Sequence, residues 1–391
     1  MNSTSLITDH SLSHKNDYNL KYIAIILFPV LDLYEIFTNL SLGFMILATL
    51  VCVEIVKNPK YTNMNFKLLV VMIILIIMNI LVGAMNYSNF TSTLNNSLEI
   101  LMFTFLAIFL CVPGKVMGEK LYYYGKIFGI IFTFFLYYQF SSYNFLDAIV
   151  SGQLPIGTTN NEGFKSIEWG RPNSVFFEPA HYAIYISPIY AVSLIKKEYL
   201  ISSIFLIGLI LSTSSTGIIV SIIVPLILFF NSKKKTFIRN FFIIISGLTI
   251  LFILSSNFYD NFLDKISLDN LVNNIRFLGP VKYFSTFDIS EIFFGIGFNR
   301  LSEFAELKGF FAMNYANAFL YSFISFGFLG GIIWLLYIIN LFSGLVKEYR
   351  ILFLIIVFVL LSDQILFNRN LLYLLVWIYA FSALKLRSKQ E

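Results

Sequence analysis

The chain of 391 residues is 58% hydrophobic and only 13% charged, with a mean hydropathy of +0.78 and a formal net charge of +5. Soluble domains carry roughly 25% charged residues, so a polar skin around a soluble core of this size is excluded. The basic residues sit in short clusters between apolar runs, a pattern that orients membrane proteins and excludes reading the net charge as a nucleic-acid footprint.

The first 21 residues are polar, with His10, His14, Lys15 and Asp17. No apolar run with a cleavage site follows directly, so a short cytoplasmic tail is expected, with no signal peptide. The apolar runs that follow are about 15 to 28 residues long and lack the period-two alternation of barrel strands. They predict helices at about 22–35, 38–56, 67–86, 97–113, 121–148, 177–195, 199–212, 216–230, 237–255, 312–344, 351–366 and 371–384. The expectation is an all-α polytopic membrane protein of about 12 transmembrane helices, a single integral membrane domain over 1–391. At 35–38 and 212–216 one long apolar stretch must hold two short helices joined by a tight turn. Cys52 and Cys111 lie in apolar runs and are expected to be small core residues, and no metal-ligand spacing is legible.

Alternate connections are basic and hold 19 of the 27 Lys and Arg residues, which predicts cytoplasmic termini. The other side receives two long segments. The first, 149–176, is punctuated by Gly152, Pro155, Gly157, Gly163, Gly170 and Pro172. The second, 256–311, is the largest polar region, with Asp260, Asp264, Asp269, Asp288, Glu291, Glu303 and Glu306, and has apolar residues at Leu268, Leu271, Val272, Ile275 and Leu278, spaced like one face of a helix. Helical pieces over the membrane mouth are expected there.

The first long segment leads into GRPNSVFFEPAHYAIY, Gly170 to Tyr185. Proline is well tolerated at the first position of a helix, so Pro179 predicts a helix start that aims free N–H groups outward. Glu178 and His181 are three residues apart and share a face, with Tyr182 and Tyr185 along it or its edge. A carboxylate, an imidazole and phenols in such a place could position an acceptor hydroxyl and take its proton. The alternative is that Glu178 caps its own helix and His181 satisfies a backbone carbonyl. Arg171, Arg276 and Arg300 suit bidentate grips on phosphate oxygens, or else pair with Glu168, Asp288 or Glu303.

The hydroxyl-rich LSTSSTG at 211–217 predicts a helix-to-helix turn, and FGIGFNR at 294–300 lacks the context of a nucleotide loop. Asn314, Tyr315 and Asn317 stand at the outer end of the predicted span 312–344. Asn317 is placed to bond a sugar or phosphate, and Gly327, Gly330 and Gly331 deeper in the span suit close helix packing.

In order, Arg171-Pro172, Phe176-Phe177-Glu178-Pro179, SSTG at 214–217, Arg276, FGIG at 294–297, Asn317 and FGFLGG at 326–331 resemble the O-antigen polymerase and ligase superfamily. The resemblance covers about 160–345, and the topology extends it over the chain. The chain looks more like a Wzy-type polymerase than a ligase, because ligases of this family carry a histidine in the large external loop and none occurs between 256 and 311.

The resemblance implies a GT-C-like, metal-independent and cofactor-free glycosyltransferase of the bacterial inner membrane, acting at its periplasmic face. Its substrate would be an oligosaccharide on undecaprenyl pyrophosphate, its surroundings membrane lipids, and its partner a chain-length regulator, with no nucleic acid. Glu178, His181 and Arg276 are then the expected catalytic residues; Arg171, Arg300, Asn317, Tyr182 and Tyr315 are the expected substrate-binding ones. The rival readings are an O-antigen ligase, a capsule or exopolysaccharide polymerase, a lipid-linked oligosaccharide flippase, and a non-catalytic scaffold. A flippase usually shows two similar halves and short loops.

Overall fold

A computed structural model describes residues 6–37, 40–57, 64–86, 90–113, 115–156, 171–231, 275–310 and 316–382. Within them the chain is mostly helical. In order come α1 (Leu6–Leu31), strands β1 (Glu35–Phe37) and β2 (Leu40–Ser41), α2 (Leu42–Lys57), α3 (Phe66–Asn86), α4 (Phe90–Leu110), α5 (Lys115–Leu146), α6 (Pro179–Ile195), α7 (Tyr199–Leu211) and α8 (Ser215–Asn231). Then follow α9 (Ile275–Thr286), α10 (Ile289–Phe294), α11 (Leu301–Leu307), α12 (Ala318–Gly344), a 3-10 turn (Lys347–Tyr349), α13 (Ile351–Ser362) and α14 (Arg369–Ala380). Among the described residues three helices, over Phe66–Met85, Phe90–Leu110 and Ala318–Gly344, are long and apolar enough to cross a membrane, which points to a membrane protein. The predicted span at 237–255 and residues 157–170 of the first long segment lie outside the described residues.

Most predicted helices appear within a few residues of their expected bounds. The polar start is an exception: the backbone of α1 is helical from Leu6, whereas the apolar run opens only near residue 22. Hydropathy marks the part of a helix that avoids water and is blind to a polar extension. A second difference lies at 35–38. The first helix stops at Leu31, and an antiparallel ribbon pairs Glu35 with Ser41 and Phe37 with Leu40 before α2 begins. The Ser41 hydroxyl donates to Asp32, and the Leu42 N–H to the Tyr34 carbonyl at 2.8 Å, so polar bonds close the connection. At 212–216 the turn forms as expected: α7 ends at Leu211 and α8 starts at Ser215, with Thr213 in the left-handed region at φ 55°.

The core centres on α6, which is buried from Tyr182 through Ser193 on every face. A helix apolar all round belongs inside a bundle, and α5, α7, α8, α13 and α14 pack against this one. Tyr185 stacks on Tyr373 of α14 at 5.1 Å, and the Tyr373 hydroxyl donates to the Tyr185 carbonyl. Cys111 is buried as expected, but Cys52 is exposed on α2. In a membrane protein an apolar run has a lipid-facing side as well as a buried one, and hydropathy does not separate them.

The described part of the second long segment folds into α9, α10 and α11. Tyr283, Phe287, Phe304 and Phe310 gather between them at ring separations of 5.2 to 6.3 Å. Of the residues expected on one helical face there, Ile275 and Leu278 fall in α9; Leu268, Leu271 and Val272 lie outside the described residues.

The helix α12 is broken at Gly327, whose φ of 60° and ψ of −167° are non-helical. Breaking a helix frees carbonyls, and within an apolar environment each needs another donor. The loop after α10 supplies them: the N–H of Ile296 donates to the Ile324 carbonyl at 3.0 Å, and that of Gly297 to the Ser325 carbonyl at 2.9 Å. Thus two glycine-bearing sequence stretches far apart in the chain are one structural unit.

Candidate active-site cleft

The residues around Glu178 are held from below. Ser174, at φ 56°, takes its place because Gln139 of α5 accepts from its N–H at 2.7 Å and donates to its carbonyl at 3.1 Å. The Ser174 hydroxyl donates to the Phe132 carbonyl. Pro179 then opens α6 with Glu178 as the preceding residue, extended at φ −139° and ψ 156°. The Glu178 side chain makes no capping bond to its own helix. Instead it lies exposed at the edge of a cleft of about 350 Å³.

Five parts of the chain line this cleft: Glu99 of α4, Glu178 and His181 of α6, Phe298 and Asn299 after α10, Ala316 and Tyr321 at the head of α12, and the connection Asp363–Asn368 between α13 and α14. The Phe298–Asn299 corner is fixed by amides within α3 and α4. Asn79 accepts from the Phe298 N–H at 2.7 Å and donates to Ser97, while Asn96 donates to the Phe298 carbonyl at 2.8 Å. Asn299, at φ 56°, donates from its side chain to Glu99 at 2.8 Å, and the Tyr321 hydroxyl bridges its backbone N–H and side-chain oxygen at 2.9 and 3.0 Å. On the far wall Asn368 caps α14, accepting from Asn370 and Leu371. Asp363 accepts from the Gln364 N–H, and its carbonyl takes the Ala318 N–H at 2.8 Å, tying the start of α12 to the end of α13.

His181 stacks on Phe177 at 6.3 Å, and its buried Nδ1 finds no hydrogen-bond partner among the described residues. Arg369, in the first turn of α14, stands 3.8 Å from Asp32 and feels the charge of Glu178 as well. Carboxylates, amides and aromatic faces around one cleft can hold a polyhydroxylated ligand and place a base beside one of its hydroxyls.

Of the expected site residues, Glu178 and His181 meet in the cleft. Arg300 does not line it: the side chain is buried, donating to Glu303 and to Thr93. Asn317 is buried as the cap of α12, accepting from Leu320. Tyr182 is buried below, its hydroxyl 2.9 Å from Thr133. Arg171 stands beside the α7–α8 turn, its Nε donating to Thr213 at 3.3 Å. The backbone of Arg276 lies in α9, and Tyr315 is outside the described residues.

Glu99, Asn299, Asp363, Gln364 and Asn368 were not expected in the site. The available signals were a lone acid within an apolar run and a polar interruption, SDQ to NRN, between the last two apolar runs. No protein-family model and no curated protein sequence matches this chain.

Proposed function

We propose that the chain is a membrane glycosyltransferase that polymerises undecaprenyl-pyrophosphate-linked oligosaccharide units, as an O-antigen polymerase does, at the outer face of the bacterial inner membrane. The observation that carries this reading is the meeting of Glu178 and His181 with the Asp363–Asn368 connection and Glu99 in one cleft. Glu178 orients the acceptor hydroxyl and takes its proton, and His181 lies beside it. The lining residues also come from helix ends that the distribution of basic residues assigns to one side, the outer one, as a periplasmic transferase requires. The arginines Arg171 and Arg276 are the candidates for the pyrophosphate leaving group, whose developing charge they would offset.

The test uses the purified full chain in detergent or nanodiscs, with a synthetic undecaprenyl-pyrophosphate repeat unit as its substrate. The expected result is a ladder of products, lost in Glu178→Gln at unchanged protein level. Transfer only to a different lipid acceptor would make the chain a ligase. A ladder of wild-type length from Glu178→Gln would remove the proposed base.

A further inference from the structure

Residues Asp288 to Gly295 read DISEIFFG, and the helix they form, α10, is turned inside out for water. Its apolar Ile289, Ile292, Phe293 and Phe294 are 46% to 76% exposed, whereas its one acid, Glu291, is 7% exposed and pairs with Lys308 at 3.0 Å. A helix in water does the reverse, burying its apolar side and leaving its carboxylates out. Helix α9 likewise exposes Val281 and Phe284.

The depth of α10 follows from where it docks. The loop after it enters the break of α12: the Gly297 N–H donates to the Ser325 carbonyl at 2.9 Å, and a β-carbon on Gly327 would strike the Phe293 carbonyl. Helix α12 is 27 residues long. At about 1.5 Å per residue it spans roughly 40 Å, against a hydrocarbon core of about 30 Å. Gly327 lies nine positions after Ala318, a rise of about 13 Å. That exceeds the roughly 10 Å by which α12 outruns the core, so Gly327 falls inside the hydrocarbon wherever the excess is placed. Phe328 and Leu329, just past the break, are exposed as well, so the apolar surface of α10 runs on into that of a helix able to cross a membrane. At the other end of α10 the exposed residues Asp288 and Ser290 are polar, as suits the headgroup level.

We infer that α10, together with the exposed apolar residues of α9, is seated in the lipid leaflet toward which the head of α12 points, its apolar face covered by acyl chains. The consequence concerns access. Only five positions separate the lipid-facing Phe294 from Asn299 in the cleft, so a substrate carried on a lipid reaches the cleft from the leaflet without crossing bulk water. Only the membrane character of the chain is needed here, not the transferase reading.

The test places a spin label at Phe293→Cys in the full chain in phosphatidylcholine nanodiscs, with Cys52→Ser and with Cys111 left in place because it is buried. Leu336→Cys on the exposed side of α12 is the lipid reference, and Glu306→Cys on α11 is the water reference. The ratio of collisions with oxygen to collisions with a polar nickel chelate is expected to be about tenfold or more higher at position 293 than at 306, and close to that at 336, because hydrocarbon excludes the chelate. A ratio like that at 306 would put α10 in water and overturn the inference. Few collisions with either reagent would mean that protein covers the face, a second copy or residues 232–274, and would overturn it too. Should Phe293→Cys lower the folded yield, Val281→Cys on α9 gives the same reading. Lipid-like collisions without a product ladder would overturn the polymerase reading alone.

Discussion

Gly295 and Gly327 meet backbone to backbone: a β-carbon on Gly295 would lie 2.4 Å from the Gly327 nitrogen, and one on Gly327 would lie 2.5 Å from the Gly295 nitrogen. Both residues hold conformations open essentially to glycine alone, at φ 80°, ψ −169° and φ 60°, ψ −167°. The contact seats the loop after α10 in the break of α12 and so sets where Phe298 and Asn299 enter the cleft. Gly295→Ala is expected to destabilise the protein by about 2 kcal/mol or more, combining backbone strain with overpacking. Gly309 provides the control, because it has φ 71° but nothing within 4 Å of an added β-carbon. Gly309→Ala should carry strain alone, roughly 1–2 kcal/mol. Unfolding midpoints of the two variants in the same detergent measure the difference; equal midpoints would mean that the glycine contact contributes nothing.

Much of the helical frame was legible because apolar runs report it directly, and Glu178-Pro179 was legible because proline at a first helical position has a local physical cause. The union of FGIG with the Gly327 break was not. It depends on carbonyls freed in one helix finding N–H groups some thirty residues earlier, and no local pattern announces that pairing. Arg300 shows the opposite limit: a basic residue reads as a phosphate grip until its partners are known, and here they are Thr93 and the i+3 acid Glu303. Glu99 and Asp363 escaped attention because each is a single acid beside apolar sequence, and only the fold turns them toward one space.

Arg300→Ala should therefore act on stability before it acts on chemistry. Its guanidinium is buried, and removing it leaves Thr93 and Glu303 without their donor. A cost of about 1.5–3 kcal/mol is expected for hydrogen bonds to a charged group. Membrane-inserted protein should fall while the product length per surviving molecule stays close to wild type. A stable protein making no long product would assign Arg300 to the substrate instead.

Asn79 makes a sharper case, since it lies in α3 yet holds the cleft wall. Asn79→Leu deprives the Phe298 N–H of its acceptor, and a buried unsatisfied donor costs about 1–3 kcal/mol. Asn79→Asp keeps an acceptor for Phe298 but loses the donor to Ser97. The expected order of chain-extension rate is wild type, then Asn79→Asp, then Asn79→Leu. An unchanged extension rate in Asn79→Leu would separate the Phe298 corner from the substrate.

Glu178→Gln and His181→Ala divide the proposed acid–base work. Glu178 is exposed and makes no capping bond, while its charge acts on Arg369, so replacing it with glutamine should lower the unfolding midpoint only slightly while lowering chain extension by about 100-fold or more, as for loss of a general base. His181 stacks on Phe177, and its truncation should lower both stability and extension. Single-turnover extension rates, paired with midpoints, distinguish the two. A Glu178→Gln protein that extends normally would move the base elsewhere in the cleft, to Glu99 or Asp363.

Asp288 supplies a pH-dependent contribution away from the cleft. It caps α10, accepting from the Glu291 N–H at 3.0 Å while Glu291 returns a bond to the Asp288 N–H, and Lys308 stands 3.0 Å from Glu291. The bond from the Glu291 N–H, followed by that from the Ser290 hydroxyl, holds the Asp288 carboxyl below its usual range. A depressed folded-state pKa means that its contribution is present above the ordinary aspartate value of about 3.9 and is lost as pH falls through the lower folded value. Asp288→Asn keeps a capping oxygen but not the charge. At pH 7 the wild type should exceed it by roughly 0.3–1 kcal/mol, the range for a carboxylate at an exposed helix N-terminus. The two midpoints should converge as pH falls below about 3.9. A gap that persists there would show that the contribution does not come from ionised Asp288.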